Sequence, residues 1–301
     1  MKLVVTGATG FIGTALCARL LEQGHTLTLF TRGSPRDAGT ATKRWLHWTP
    51  GALREWGSAL DGVDGVINLT GEPIAKKWTH ATRRRIETSR IEGTNSLVQG
   101  IAKATSRPKF LISASAVGYY GPRGDEIVTE ETPPGDDFLS LVCRNWEEEA
   151  TKAEPLGLRV VRLRTGIVLG SGGGALAKMV VPFNFFAGGP LGSGQQWMSW
   201  IQLEDHVRLM LEVIENTQAS GAINVTAPNP VRNKEFCQTL GKVLGRPCWA
   251  PVPGLALRLV LGEMAGMLLT GQRVIPAAAQ KLGFQFRYPN LEEALQASMP
   301  L

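Results

Sequence analysis

The chain has 301 residues, 43% apolar and 19% charged, and its 32 basic and 26 acidic side chains give a net charge of +6. That length and apolar share suffice to bury a large core and exclude a disordered chain. The four cysteines, Cys17, Cys143, Cys237 and Cys248, show no paired spacing, which excludes a disulfide framework or cysteine zinc site and fits a reducing, cytoplasmic setting.

At the amino terminus, MKLVVTGATGFIG is cut by glycines and lacks a small-residue cleavage site, so it reads as strand and turn rather than a leader. KLVVTG predicts the first strand, Ile12 to about Gln23 the first helix, and TLTLFTR the second strand. RWLHW and GVINLTG follow as strands, then come a long helix through the 80s and 90s, the strand KFLISAS, a helix over 138–154 and the strand RVVRLRTGIVLG. This alternation predicts an α/β fold, a Rossmann-like doubly wound parallel sheet buried on both faces. The domain built on this sheet is assigned to residues 1–170.

Beyond residue 170 the texture changes. Glycine-rich loops (SGGGALAKM, AGGPLGSGQQW) and the Trp-rich WMSWIQLEDHV lead into a helix near 205–215, the strand GAINVTA and a helix from Asn233 to about Leu244. Such insertions over the carboxyl edge of a parallel sheet usually build the substrate compartment, assigned here to residues 171–250. In the apolar tail, LALRLVLGEMAGMLL is interrupted by Arg258 and Glu263, too soon for a membrane span.

The basic run ATRRRIETSR has neither interleaved aromatics nor a recognisable module, so Arg83, Arg84 and Arg85 read as a solvated helix face and no nucleic-acid partner is expected. Arg90 differs. It falls on the stripe of Ile86, Gly93, Leu97 and Ile101, where a charge must find a partner, either a cofactor phosphate or adenine edge or a protein carboxylate.

Gly7, Gly10 and Gly13 stand between the first strand and first helix. They permit a tight turn, close approach of backbone to a pyrophosphate and close helix packing, with the helix N-terminus favouring the phosphate charge. After the second strand, an NAD-selective site would place an acid against the ribose 2′-hydroxyl. Thr31 and Arg32 stand there instead, with Arg36, Lys43 and Arg44 nearby and Asp37 too far into the loop to serve. A guanidinium pairs with a 2′-phosphate and the missing carboxylate no longer repels one, which predicts NADP(H).

Together these segments resemble the extended short-chain dehydrogenase/reductase superfamily, whose glycine pattern T-G-x-x-G-x-x-G is TGATGFIG here. NLTGEPI, SASAVGYYGPRGDE, LRTGIVLGSGGGAL, GGPLGSGQQWMSWI and GQRVIP resemble its atypical branch of epimerase family proteins, within the NAD-dependent epimerase/dehydratase superfamily. The resemblance spans essentially the whole chain. It implies a Rossmann domain, a smaller carboxyl-terminal substrate region and a family-specific helical tail over residues 251–301. It also implies cofactor contacts at the glycine loop (Gly7, Thr9, Gly10, Phe11, Ile12, Gly13), at Thr31 and Arg32, at Leu69 and Thr70, and at Arg90 and Val168.

The wider superfamily uses a Tyr-x-x-x-Lys pair, in which the ammonium lowers the pKa of the tyrosine. By the resemblance, Phe138 holds the tyrosine position and Val142 the lysine position, and neither titrates. Ser115, at the end of the fifth strand, and Tyr119 and Tyr120 just beyond it are the remaining catalytic candidates, with loop anchoring as the alternative role of the tyrosines. Glu72 reads as a pocket acid or a turn cap, Cys143 as core, Asp205 as a helix N-cap beside His206, and Glu147 to Glu149 as solvated. His25, His47 and His80 pair with no serine or carboxylate in a usable spacing, and no metal site is expected. The resulting expectation is an NADP(H)-binding oxidoreductase or epimerase acting on an unidentified small molecule. The alternative is a catalytically weak or inactive NADPH-binding regulatory or interaction module.

Overall fold

Within the first strand Leu3 and Val5 pack into one core and Val4 into another, and the division recurs at Ile67 against Val66 and Ile112 against Leu111. Strands apolar on both faces must be covered on both, which draws helices to each side of a parallel sheet. The computed structural model describes residues 1–33 and 38–299; Arg36 and Asp37, weighed above as neighbours of a ribose, lie outside the described residues. Its main sheet contains β1 (Lys2–Thr6), β2 (Thr26–Thr31), β3 (Lys43–His47), β4 (Gly65–Asn68), β5 (Phe110–Ala116), β6 (Arg159–Thr165) and β7 (Gly221–Val225). All neighbours run parallel, in the order β7-β6-β5-β4-β1-β2-β3. The chain winds outward in both directions from β1 and β4, so their carboxyl ends frame the crevice where such folds bind ligands.

Helices α1 (Phe11–Glu22) and α4 (Leu203–Glu215) cover one face through Leu16, Leu20, Leu209 and Met210. Helices α2 (His80–Lys103) and α3 (Phe138–Thr151) cover the other through Leu97, Ile101 and Ala150, where Trp48 and Trp56 complete the core. Thr79 caps α2 by accepting from the Thr82 N–H, and Asp137 caps α3 by accepting from the Ser140 N–H. A third core, including Phe183, Trp200, Phe236 and Leu240, unites the helices Gly174–Asn184 and Asn233–Leu244 with the final helix Leu291–Ala297.

Several sequence expectations are corrected. Helix α3 ends at Thr151 rather than 154, and the strand expected over RVVRLRTGIVLG breaks at Gly166. A Cβ on Gly166 would lie 2.5 Å from the Ser199 carbonyl oxygen, and the following piece, Ile167–Leu169, pairs instead with Trp200–Gln202. Asp205 is not the N-cap of α4. Gln202 fills that role, accepting from the Glu204 N–H, while the fully buried Asp205 carboxylate accepts from the backbone N–H groups of Arg287 and Tyr288 at 2.9 and 2.8 Å. It thereby latches the tail to α4. Arg83 is not merely solvated either: it pairs with Glu263 at 2.6 Å and lies 4.3 Å from the Phe138 ring centroid, while Arg84 and Arg85 are exposed. No helix among the described residues is long and apolar enough to cross a membrane.

Candidate functional site

The glycine turn is held by backbone that tolerates no side chain. Gly7 has φ +69°, and a Cβ there would lie 2.5 Å from the Leu69 carbonyl oxygen, while one on Gly13 would lie 2.2 Å from the Gly7 carbonyl oxygen. Gly10 is the N-cap of α1 and supplies no side chain to the first turn, so its N–H groups remain available to an anion. Phe11 closes the turn from above: Cβ atoms on Gly170, Gly173 or Gly174 would come within 2.7–3.0 Å of its ring. The glycines after Leu169 thus let a loop lie on that ring. Thr9 and Ile12 are half-buried in the same turn.

At the crevice floor, the fully buried Asn68 accepts from the Thr6 hydroxyl and donates to Thr94 Oγ1, each at 2.8 Å, tying β1 and β4 to α2. Thr70 follows, with its Oγ1 buried and without a hydrogen-bond partner among the described residues. Arg90 lies beside it against Gly71, donating to the carbonyls of Glu72 and Ile86 at 3.0 and 3.1 Å and stacking 5.1 Å from the Trp146 ring centroid. Among the described residues no carboxylate forms an ion pair with Arg90, so the protein carboxylate considered as its partner is not the group that holds it. An orphaned hydroxyl, an unpaired guanidinium and a side-chain-free turn fit the phosphates of a dinucleotide. At the end of β2, Thr31 Oγ1 accepts from the Gly33 N–H at 3.2 Å and Arg32 is exposed.

From this cradle a cavity of about 380 Å³ extends over the carboxyl ends of β5 and β6. Ala116 to Gly118, Val142, Thr165 and Val168 form its inner wall, with Trp197, Met198, Met267 and Leu268 opposite. Phe138 is absent from that wall: it packs edge-on against Trp78, with ring centroids 5.3 Å apart. Cys143 belongs to both core and wall, and burial pushes its thiol up to about 12.

The sequence's catalytic candidates gather in one buried network beneath this wall rather than on it. The Ser115 hydroxyl donates to Glu147 Oε1 at 2.6 Å, and Arg164 donates to both Glu147 oxygens at 2.8 Å. Arg164 also donates to the Tyr120 hydroxyl at 3.0 Å, which donates to Asn224 Oδ1 at 2.6 Å. Tyr119 lies face-on to the same guanidinium, 3.5 Å from its ring centroid. Glu147 is therefore not solvated as expected; it is 4% exposed and anchors the cluster. Burial pushes the Tyr120 phenol up to about 12, far from the neutral range in which acid–base work is efficient. Glu149, half-buried, accepts from Asn95 and Lys152, and Glu148 is exposed. Glu72 is drawn into an ion pair with Lys76 at 2.7 Å, whose hydrogen bond lowers its carboxyl below the usual range.

Against this geometry, residues 3–226 match the profile described as the NAD dependent epimerase/dehydratase family. The chain belongs to that family. Residues 252–298 match a domain of unknown function, DUF1731. The epimerase family protein SDR39U1 homolog, chloroplastic, of Arabidopsis thaliana is 46% identical over 99% of this chain and 87% of its own length. Human epimerase family protein SDR39U1, solved with NADPH, is 35% identical with a TM-score of 0.88, covering 99% of both chains. A nucleoside-diphosphate sugar epimerase from Corynebacterium glutamicum is also 35% identical, with a TM-score of 0.80, over 99% of this chain and 58% of the other.

Within this epimerase-family fold, Thr165 joins the cavity to α4, its hydroxyl 3.2 Å from His206 Nε2. His206 is 1% exposed, and burial lowers its imidazole from 6.5 to about 4. An unfolded chain takes up this proton below about 6.5 and the folded one only near 4, so acid favours unfolding. Stability should fall by about 3 kcal/mol from this group as pH drops from 7 to 4. Urea unfolding of His206→Gln should therefore lose less stability across that interval than the parent, and equal losses would refute the assignment. Neither His206 nor the Glu147–Arg164 pair carries a sequence motif; of the two tryptophans in WMSWIQ, Trp197 joins residues 196–199 in the cavity wall and Trp200 is buried in the third core.

Proposed function

We propose that the chain is an NADP(H)-dependent oxidoreductase or epimerase acting on a small molecule held in the cavity beyond the glycine turn. Gly7, Thr9, Gly10, Phe11, Ile12 and Gly13 cradle the pyrophosphate, Thr31 and Arg32 take the ribose 2′-phosphate, and Leu69, Thr70, Arg90 and Val168 line the remaining cofactor path. The observation that carries this reading is the phosphate cradle with Arg32, not a carboxylate, at the end of β2; the human relative solved with NADPH supports it. When bound, NADP(H) supplies or accepts a hydride. The chain's own part is to orient the reacting groups and exclude water. Ser115, Tyr119 and Tyr120 act here as positioning residues, since their network with Arg164 fixes the 116–118 segment that forms the inner wall. A cytoplasmic, reducing setting accords with the free thiols at all four cysteines.

Calorimetry on the ligand-free protein tests the cofactor assignment: NADPH should bind at least about tenfold more tightly than NADH. Arg32→Ala should weaken NADPH binding about 10- to 100-fold, as expected for loss of a charge-assisted phosphate contact, while leaving NADH binding unchanged. Equal loss for both nucleotides would refute the 2′-phosphate role.

A second reading, an NADPH-sensing module without chemistry, draws on one observation: among the described residues no Tyr, Lys or His lines the cavity. It predicts NADPH binding with no hydride exchange to any carbonyl or alcohol.

A further inference from the structure

Among the described residues, Arg90 and Asp137 are the only charged side chains that reach the cavity wall, and both have other work. Arg90 faces the cofactor cradle and holds two backbone carbonyls. Asp137 caps α3, accepting from the Ser140 N–H and hydroxyl, each at 2.8 Å, and its negative charge would repel a phosphate. At the mouth, Arg232 lies 4.1 Å from the Trp197 ring centroid but is already paired with Asp125, and Lys178 is engaged by the Ala75 carbonyl at 3.2 Å, while Arg273 lies 4.7 Å from the Trp197 ring. A nucleoside diphosphate, with two charges to neutralise, needs several convergent cations. The rest of the wall is largely apolar, including Ile74, Leu139, Val142, Met179, Met198 and Met267.

The wall is equally poor in proton donors. The Ser199 hydroxyl donates to the Gln272 carbonyl at 2.8 Å and accepts from the Val274 N–H at 3.0 Å, so it is fully engaged. The Thr165 hydroxyl is shared between the Leu163 carbonyl and His206. A positioned acid contributes about 10²–10⁴-fold when an alkoxide must be protonated as it forms. A product anion resembling a phenolate, whose acid titrates near about 10, needs that help far less.

We propose that this compartment takes an uncharged, largely apolar conjugated carbonyl compound, a quinone or enone, and not a nucleoside-diphosphate sugar. This rests on the NADP(H) reading above. The conjugated acceptor takes up the hydride that bound NADPH supplies, its displaced π pair settles on oxygen as a phenolate or enolate, that oxygen takes a proton from water, and NADP⁺ remains. Flexible methionine side chains suit such a ligand, because they fill irregular space around flat apolar molecules.

Calorimetry on the NADP⁺-saturated protein, with menadione and UDP-glucose as probes, provides the test, alongside NADPH oxidation with menadione, cyclohexenone and cyclohexanone against enzyme-free controls. Menadione should bind and UDP-glucose should not. Turnover per unit concentration should be at least about 10²-fold greater for menadione and cyclohexenone than for cyclohexanone, the saturated ketone that needs an acid. Met267→Trp, and separately Met179→Trp, should lower menadione affinity at least about tenfold while NADPH affinity is retained. Binding of UDP-glucose, equal turnover of cyclohexanone, absence of menadione binding, or menadione binding indifferent to both tryptophans would overturn the proposal. A protein that binds no NADPH fails the cofactor reading instead, so the two failures are distinguishable.

Discussion

Glu147→Leu is expected to lower the unfolding free energy by about 3–5 kcal/mol, because it strands the buried Arg164 guanidinium without its counter-charge. The pair is 4% exposed on each side, and Arg164 makes two 2.8 Å bonds to the carboxylate while bracing the Tyr120 hydroxyl. With total stabilities usually about 5–15 kcal/mol, a loss of that size is a large share of the whole. Glu147→Leu combined with Arg164→Met should recover part of it, since the fully buried charge is removed while Arg162, 3.9 Å from Glu147 and 23% exposed, still loses its counter-charge. Urea denaturation of the parent, the single variant and the double variant checks both statements. A single variant within about 1 kcal/mol of the parent would show that water reaches Arg164 and that the network does not hold the cavity wall.

Arg90→Met should behave in the opposite way. Arg90 is half-buried without an ion-pair partner among the described residues, and its guanidinium is held by two carbonyls and the Trp146 ring. Burial accordingly lowers its pKa. Removing a charge that folding must desolvate without a counter-ion should leave the ligand-free protein within about 1 kcal/mol of the parent or more stable. NADPH affinity should meanwhile fall about 10- to 100-fold through loss of a charge-assisted contact. The paired measurement is thermal unfolding without ligand and calorimetric titration with NADPH. Strong destabilisation with unchanged affinity would make Arg90 a structural residue. A site that gains stability when its functional charge is removed is the usual signature of function maintained at the fold's expense.

Local patterns determined much of this protein. Apolar runs at KLVVTG, GVINLTG and KFLISAS, separated by 3.6-period helices, specify a two-faced parallel sheet because each residue's face follows from its position alone. The glycine turn was legible for the same reason: Gly7 and Gly13 are required by close contacts with the backbone of Leu69 and of the turn itself. That Phe138 and Val142 stand where the wider superfamily keeps its tyrosine and lysine rests on the resemblance alone. Only the tertiary structure decided how Ser115 and the polar residues near it meet. Ser115, Glu147, Arg164 and Asn224 are drawn together from β5, α3, β6 and β7, and burial turns an apparently solvated Glu147 into the anchor of a charge cluster. Asp205 likewise looked like a cap until the distant tail folded back to supply its partners, as its bonds to Arg287 and Tyr288 record. Secondary structure follows from near neighbours, whereas burial and charge pairing depend on residues that meet only when the sheet closes, and no spacing along the chain encodes that meeting.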